Sequence, residues 1–143
     1  MRIQDVMSKN VVSIAPQTKI AAARETLRTE EIDHLVVMEG KHVVGLVAGK
    51  DLGRGTDDQP VAEVMTREVV TIAPEATLRR AAGMLRGRAI GSLPVVEDDR
   101  LVGMVTTSDL LTALAKGETH TEPQRDAKVI LRKRGPRKRA IPV

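Results

Sequence analysis

The chain has no cysteine, phenylalanine, tyrosine or tryptophan among its 143 residues. Without cysteine there is no disulfide scaffold, no thiolate metal site and no cysteine nucleophile. Without aromatic rings, the core has to be built from aliphatic side chains and methionine. No stretch approaches the roughly 20 apolar residues of a membrane span, and the first residues lack the apolar run of a signal peptide. We therefore expect a soluble, cytoplasmic protein with no membrane association.

Charge is distributed unevenly along the chain. Residues 1–122 hold 15 Lys+Arg against 18 Asp+Glu, a net charge of −3, whereas residues 123–143 hold 8 against 1, a net charge of +7. The basic character therefore belongs to a C-terminal tail, which we assign to residues 118–143. Segment 132–139 of this tail has six cations in eight residues. It can be a solvated terminus, it can bind nucleic-acid phosphates without sequence specificity, or it can fold back on the acidic body or onto a dimer partner.

The chain also repeats itself. Residues 5–52 align with residues 63–110 at a constant offset of 58, and 19 of the 48 positions are identical. The segment VVSIAP at 11–16, for example, recurs as VVTIAP at 69–74. Units this small rarely bury a sufficient core alone, so we expect the two copies to pack about a pseudo-twofold axis. Such packing leaves two related clefts at the junction, where small molecules bind.

Each copy predicts the element order β-α-β-β-α. The opening strands are predicted at 11–14 and 69–72, and the helices that follow have N-caps at Thr18 and Thr77. Two hairpins are predicted, with strands at 35–39, 43–47, 93–97 and 101–105. A last helix begins near Asp51 or Asp109. We divide the chain into a first repeat with its linker (1–60), a second repeat (61–117) and the tail, in which 127–131 is a candidate extra strand.

The most specific stretch lies in the second copy, where IGSLPVVE at 90–97 is followed by RLVGMVTTSDL at 100–110. It resembles a CBS motif, with its hydrophobic-Pro-Val-Val strand and its Gly-x-x-Thr-x-x-Asp signature, and the pair of copies resembles a Bateman module. The first copy departs from the motif at Val36, which replaces the proline, and at Ala48, which replaces the threonine. The resemblance covers residues 3 to about 115. It implies an α+β fold of two pseudo-twofold-related β-α-β-β-α repeats packed sheet against sheet.

Thr106 and Asp109 have both a structural and a functional explanation. A threonine N-cap with an acidic residue three positions later satisfies unpaired helix amides and complements the helix dipole. The functional explanation, which the resemblance strengthens, is that Asp109 accepts hydrogen bonds from a ribose diol while Thr106 offers its hydroxyl to ribose or phosphate. Both explanations can hold at once.

The resemblance further implies two unequal clefts, each shared between the copies. The residues implied for the main cleft are Thr106, Asp109, Lys50, Val11, Val12, Ile32, Asp33, His34, Val36, Met104 and Ser108, with Lys50 at the phosphates. Those implied for the weaker cleft are Asp51, Val69, Val70, Ile90, Gly91 and Pro94, with Ser108 at its phosphate position. The second cleft ranks lower because Ala48 has no hydroxyl and its phosphate position has no cation. Lys50 also has a simpler interpretation, as an exposed lysine beside a helix start.

Support for catalysis is weak. The three histidines are scattered without metal-ligand spacing, and the acidic pairs at 57–58 and 98–99 fall in turn-like segments. The segment GLVAGKD at 45–51 is one residue too short for a phosphate loop. We predict no enzyme, no metal and no cofactor.

We predict instead a regulatory sensor that binds an adenine nucleotide (AMP, ADP or ATP) between the repeats and responds by a change of shape or assembly. The sequence leaves S-adenosylmethionine and dinucleotides open as ligands. The predicted partners are an unidentified regulated protein and a second copy of the chain, because Leu27, Leu85, Leu110, Leu111 and Leu114 cannot all be buried in so small a body. The alternative function is nucleic-acid association through the basic tail.

Overall fold

Short helices and strands alternate along the chain. The computed structural model describes residues 1–117, so the tail and its candidate strand at 127–131 lie outside the described residues. The elements are α1 (Ile3–Val6), β1 (Ser13–Ile14), α2 (Ile20–Glu30), β2 (His34–Glu39), β3 (His42–Ala48), α3 (Gly49–Leu52), a 3-10 turn (Val61–Glu63), α4 (Leu78–Arg88), β4 (Ser92–Glu97), β5 (Arg100–Thr106) and α5 (Thr107–Gly117). Residues 1–113 form one compact unit; of a second unit, 114–143, only the end of α5 is described.

Two antiparallel hairpins form the centre of the two copies. β2 pairs with β3 and β4 pairs with β5, as the sequence predicts. The turn between β2 and β3 contains Gly40 at φ 64°, and the turn between β4 and β5 places Asp98 and Asp99 at φ 51° and 62°. In the turn between β4 and β5, positive φ at both central residues is typical of a type I′ turn, whose twist matches that of the paired strands. Both hairpins also carry a register irregularity at equivalent positions.

The opening strands are shorter than predicted. β1 has only two residues, paired in parallel with β2, and the predicted strand at 69–72 is reduced to a single bridge between Ile72 and Val95. In the first copy, the Val36 amide donates to the Val12 carbonyl at 3.3 Å. The equivalent of Val36 in the second copy is Pro94, which has no N–H to donate. The missing hydrogen bond explains why the strand prediction is wrong for the second copy.

The helices α2 and α4 bury the faces that the sequence predicts, but their N-termini are capped differently. Thr77 caps α4 as predicted, because its hydroxyl accepts from the Arg80 amide at 3.1 Å. The prediction of Thr18 for α2 is wrong: the N-cap is Lys19, without a side-chain hydrogen bond. The first-turn amides of α2 instead donate to carbonyls of the linker, at Gln59 (2.8 Å) and Asp57 (3.1 Å). Carbonyl groups of the linker therefore accept the hydrogen bonds that a capping side chain would otherwise accept.

The first residues of each sequence repeat, 3–8 and 61–66, are called the leading segments here. Each leading segment packs into the core of the other repeat. Val61, Val64 and Met65 lie in the core formed by α2, β2 and β3, whereas Ile3 lies in the core formed by α4, β4 and β5. Paired backbone hydrogen bonds extend this exchange. Ser8 and Met104 bond to each other at 2.9 Å in both directions, and Leu46 and Thr66 do so at 3.0 and 2.9 Å.

This exchange joins the two halves of the module. Strands β3 and β5 also contact each other. The predicted α+β fold of two related repeats packed sheet against sheet is thereby confirmed.

The exposed leucines are fewer than the sequence suggests. Leu27 and Leu85 are buried in the two cores. Leu111 and Leu114, three residues apart on α5, are 62% and 64% exposed. None of the helices within residues 1–117 is long and apolar enough to cross a membrane.

Candidate functional site

The polar first turn of α5 directly follows β5, at the junction between the copies. The Thr106 amide donates to Asp109 Oδ2 at 2.9 Å, and the Asp109 amide donates back to Thr106 Oγ1 at 3.1 Å. This reciprocal pair is a capping box, so the structural explanation for these residues is observed. Because Thr106 restrains one carboxylate oxygen, the Asp109 side chain is held in a defined orientation. Within residues 1–117, Asp109 Oδ1 has no hydrogen-bond partner.

A cavity of about 410 Å³ adjoins this turn. Nine of the residues that were predicted for the main cleft line it: Val11, Val12, Ile32, Asp33, His34, Met104, Thr106, Ser108 and Asp109. Its aliphatic walls come mostly from the first copy, and most of its hydroxyls, together with Asp109, come from the second. The volume is within the range of small-molecule sites. The charged side chains among its described lining are two carboxylates, Asp33 and Asp109.

Two residues predicted for the main cleft lie elsewhere. Val36 is fully buried and does not line the cavity. Lys50 lines two other cavities, described below, and not the one beside Asp109. Ser108, at the equivalent position in the second copy, lies in the cavity beside Asp109. The residue before each aspartate therefore lines the cavity of its own copy's aspartate.

Four further residues line the 410 Å³ cavity: Ser8, Asn10, Gly91 and Thr107. Ser8 is brought there by its pairing with Met104, which belongs to the exchange of leading segments. The sequence carries no signal for that exchange, because the leading segments of the two copies are alike. Gly91, which the resemblance places in the second cleft alone, lines all three cavities at the junction.

The second cleft is small, and both oxygens of its aspartate already have partners within the protein. Asp51 is only 4% exposed. Its Oδ2 accepts from the Ala48 amide at 2.8 Å, and its Oδ1 lies 3.4 Å from Nη2 of Arg54. The adjacent cavity measures about 110 Å³.

The residues predicted for this second cleft are only partly brought together. Asp51, Ile90 and Gly91 line the 110 Å³ cavity, whereas Val69, Val70 and Pro94 do not. Ser92 also lines it, and its buried hydroxyl has no hydrogen-bond partner within the described residues. Compared with the cavity beside Asp109, this one offers less room and a carboxylate that is already paired.

A third cavity, of about 770 Å³, lies against α2 and the start of α3. Ile32, Asp33, His34 and Gly91 form a wall that it shares with the cavity beside Asp109. Its remaining lining includes Arg24, Glu25, Arg28 and Lys50, together with aliphatic side chains. The cations at this junction therefore line the third cavity and not the main one.

His34 stands where all three cavities meet. Its ring lies over Gly91, where an added Cβ would be 3.4 Å from Cε1 and Nε2. Burial lowers the pKa of His34 below its ordinary value, and Lys50 lowers it further, while Asp33 and Asp51 oppose the shift. The ring is therefore neutral at physiological pH and can donate one hydrogen bond and accept another.

The described residues contain no group of three or more His, Asp or Glu side chains arranged to hold a metal ion. What the junction presents is a set of hydroxyls, one oriented carboxylate and aliphatic walls. Such an arrangement can bind a neutral polyol against an apolar surface.

Two pseudo-twofold-related α+β repeats with related cavities at their junction define a tandem-repeat module. The family model for the CBS domain matches this chain twice, over residues 3–54 and 61–116. The chain belongs to the CBS domain family.

The curated relatives include enzymes that contain a similar segment. The chain is 37% identical over 114 residues to a homoserine O-acetyltransferase of Methanocorpusculum labreanum, covering 77% of this chain and 23% of the relative. It is 31% identical over 112 residues to an inosine-5'-monophosphate dehydrogenase of Thermoplasma acidophilum, covering 78% and 23%. The chain thus spans about a quarter of the length of these relatives, and the match to each enzyme is confined to that part.

Solved structures of paired CBS domains share the fold. The CBS domain pair of protein MJ0100, in complex with 5'-methylthioadenosine and S-adenosyl-L-methionine, has a TM-score of 0.77 at 25% identity and covers 82% of this chain and 98% of that one. The AcuB protein of Vibrio cholerae, described as a putative acetoin utilization protein, has a TM-score of 0.76 at 28% identity and covers 86% and 98%.

Proposed function

We propose that this module binds an adenine nucleotide (AMP, ADP or ATP) in the cavity beside Asp109 and acts as a regulatory sensor. The observation that carries the proposal is the state of the Asp109 carboxylate. One oxygen is held by the Thr106 amide, and the other has no partner within the described residues. An oriented carboxylate with a free oxygen is suited to accept a hydrogen bond from a ribose hydroxyl. Thr106 and Ser108 add hydroxyls at the same end of the cavity.

The apolar part of the lining suits a nucleoside base. Val11, Val12, Ile32 and Met104 supply aliphatic and thioether surface on which a flat ring can pack without an aromatic partner. The MJ0100 domain pair, which has the same fold, was solved with two adenosyl compounds. This similarity supports an adenosyl ligand for the present chain.

A sensor of this kind acts through a difference in ligand affinity between two states of the protein. The cavity is lined by both repeats, so an occupant contacts both and can bias their arrangement. We propose a cytoplasmic, non-catalytic role in which a second copy of the chain or a regulated protein reads that change.

Isothermal titration calorimetry with adenosine, AMP, ADP, ATP, 5'-methylthioadenosine and S-adenosylmethionine tests the proposal. We expect saturable binding of at least one adenine nucleotide at one site per chain, weakened by Asp109→Ala. The matched control is Asp99→Ala, which removes an exposed carboxylate from the turn between β4 and β5. Absence of binding by every compound, or binding that Asp109→Ala leaves unchanged, contradicts the proposal.

The net charge of +7 over residues 123–143 favours a second candidate function, association with nucleic acid. Filter binding of random-sequence DNA by the whole chain and by a chain ending at residue 127 tests it. We expect DNA binding to require residues 128–143 and to weaken steeply with added salt. Equal retention of DNA by both chains contradicts it.

A further inference from the structure

The helix α4 carries four arginines and no acidic residue. Arg79, Arg80, Arg86 and Arg88, against no Asp or Glu, give this helix a net charge of +4, and all four are exposed. Within residues 1–117, none of the four forms an ion pair. One short helix therefore presents four guanidinium groups to solvent or to a partner.

The equivalent helix of the first copy, α2, is electrically neutral. It has two arginines, Arg24 and Arg28, against two carboxylates, Glu25 and Glu30. Both arginines form ion pairs, Arg24 with Asp57 and Arg28 with Glu25. At the offset of 58, the four arginines of α4 correspond to Ala21, Ala22, Arg28 and Glu30. The positive charge of α4 is therefore specific to the second copy and is not a requirement of the repeat.

Two features of α4 oppose the stability of the helix. Arg79 and Arg80 lie in its first turn, where the helix dipole favours acidic side chains. Gly83 and Gly87 lie further along, and glycine destabilises a helix relative to alanine. A Cβ at either glycine would meet no neighbouring atom within 4 Å, so packing within the described residues requires neither. Local stability and packing do not explain these residues, whereas contact with an anionic partner does.

The arginines and glycines share the exposed side of α4. Arg79, Gly83 and Arg86 follow the spacing i, i+4, i+7, which places them on one face, and the buried Ala81 and Leu85 lie on the opposite face. Seven residues at about 1.5 Å each separate Arg79 from Arg86 by about 10 Å along the helix axis. Because Gly83 has no side chain, a partner can approach the helix backbone between the two guanidinium groups.

This face suits the phosphate backbone of a nucleic acid better than it suits a protein surface. Protein interfaces have an apolar or aromatic core, but the large apolar side chains exposed within residues 1–117 are Met1, Leu111 and Leu114, none of them on α4. Interfaces with nucleic acid are more polar and much more positively charged. Duplex DNA carries one negative charge per about 1.7 Å of its axis, so several phosphates fit within the length of this face. A guanidinium can bind a phosphate through two parallel N–H bonds.

We propose that the face of α4 formed by Arg79, Arg80, Gly83, Arg86 and Gly87 binds the phosphate backbone of double-stranded nucleic acid without sequence preference. A duplex is favoured over a single strand because the chain has no aromatic residue on which bases could stack. The inference rests on the second candidate function, association with nucleic acid, to which it adds a surface within the described residues. These five residues line none of the three cavities.

The face and the tail contribute to the same binding. A few phosphate contacts alone bind weakly at physiological salt. We therefore expect retention of DNA to depend on the tail, with its net charge of +7 over residues 123–143, as well as on α4.

Fluorescence anisotropy of a labelled random-sequence DNA duplex, titrated with the whole chain at several salt concentrations, tests the face. Each phosphate contact contributes about 0.9 to the slope of log affinity against log salt concentration. The double variant Arg79→Gln, Arg86→Gln should therefore reduce the slope by about 2. The matched control is the double variant Arg24→Gln, Arg28→Gln, which removes the same charge from α2 and should leave the slope unchanged. The tail is present in every variant and contributes equally to all of them.

Gly83→Leu separates docking on this face from attraction to net charge. The substitution keeps every charge, and a Cβ at this position meets no neighbouring atom. The leucine side chain would nevertheless stand between Arg79 and Arg86, so DNA affinity should fall severalfold. Thermal unfolding should show that the variant is at least as stable as the unmodified chain, because leucine favours a helix more than glycine does.

Four outcomes overturn the proposal. They are an unchanged slope in Arg79→Gln, Arg86→Gln, an equal reduction in the α2 control, unchanged affinity in Gly83→Leu, and polyglutamate binding as tight as that of DNA, which would assign the face to an acidic protein. The chain that ends at residue 127 tests the tail separately, so failure of the face and failure of the tail are distinguishable. Nucleotide affinity should be the same in all the α4 variants, because their substituted residues lie outside the three cavities.

Discussion

Gly103 on β5 lies directly against the side chain of Met7. A Cβ at Gly103 would stand 2.5 Å from Met7 Sδ and 2.9 Å from the Ser8 carbonyl oxygen. The glycine of the Gly-x-x-Thr-x-x-Asp signature is therefore required by packing: it lets the leading segment of the chain lie on β5. Gly45 has the same relationship to Met65 at the equivalent position in the other repeat.

Replacing these two glycines should destabilise the fold unequally. At Gly45 the atoms that a Cβ would meet all belong to the flexible Met65 side chain, whereas at Gly103 one is the backbone oxygen of Ser8. Gly103→Ala should lower the free energy of unfolding by about 1–3 kcal/mol, as overpacking does, and Gly45→Ala by less. Urea denaturation monitored by far-ultraviolet circular dichroism measures both.

Double variants provide the control for this comparison. Met65→Ala should suppress the effect of Gly45→Ala, because it removes the atoms that clash. Met7→Ala should not suppress the effect of Gly103→Ala, because the Ser8 carbonyl remains. Full rescue of stability in both pairs would show that the contact with the Ser8 carbonyl oxygen does not contribute to the destabilisation.

Substitutions of the two signature aspartates should affect different properties: ligand affinity for Asp109 and thermal stability for Asp51. Asp109→Ala should weaken the nucleotide by about 1.5–3 kcal/mol, the range for hydrogen bonds to a charged group, with a modest change in melting temperature. Asp51→Ala should mainly lower the melting temperature, because Asp51 is buried and bonded to both Ala48 and Arg54. Calorimetry and thermal unfolding on both variants check this. An equal or larger loss of affinity at Asp51 would reverse the ranking of the clefts.

His34 should make stability depend on pH on the acidic side of neutrality. Burial lowers its pKa in the folded state below 6.5, so the unfolded state binds the proton more readily. Stability should therefore fall as pH drops below 6.5 and level off once pH passes the lowered pKa. His34→Gln should flatten thermal stability measured between about pH 7 and 5. His42→Gln, which changes an exposed histidine on β3, should leave the slope in place.

The exposed leucines of α5 should mediate self-association. Leu111 and Leu114 are 62% and 64% exposed, and burying such side chains against a second copy is favourable. Multi-angle light scattering at micromolar concentration should give twice the 15.5 kDa mass of the chain. The double variant Leu111→Glu, Leu114→Glu should give the monomer mass, whereas Thr112→Glu on the same helix should not. A monomer mass for the unmodified chain would refute the dimer.

Local chemistry was predictable from the sequence because each signal acts over a few residues. The hairpins follow from alternating apolar residues around tight polar turns, and the Thr106–Asp109 cap follows from its spacing. The shortening of the strand near Ile72 could also have been predicted from the sequence. Pro94 lacks an N–H, and that absence determines what can pair with it.

Long-range placement was not predictable, for a physical reason. Val6-Met7 and Val64-Met65 are the same pair of residues in the two copies, so the residues themselves do not indicate which core each pair enters. Sequence periodicity identifies buried residues but cannot say which of two similar cores accepts them. The position of Lys50 depends on the same arrangement, so its placement away from the cavity beside Asp109 had no sequence signal.

The exchange of leading segments also has a kinetic consequence. The Ile3 amide bonds to the Ala76 carbonyl and Ser8 pairs with Met104, contacts that join residues 73 and 96 positions apart. During synthesis, residues 3–8 are made before Ala76 and Met104, so they have to wait for these partners. Folding rates fall as contacts become less local, because distant loops have to close first. Segment 3–8, whose Ile3, Val6 and Met7 stay exposed until then, therefore needs protection from aggregation.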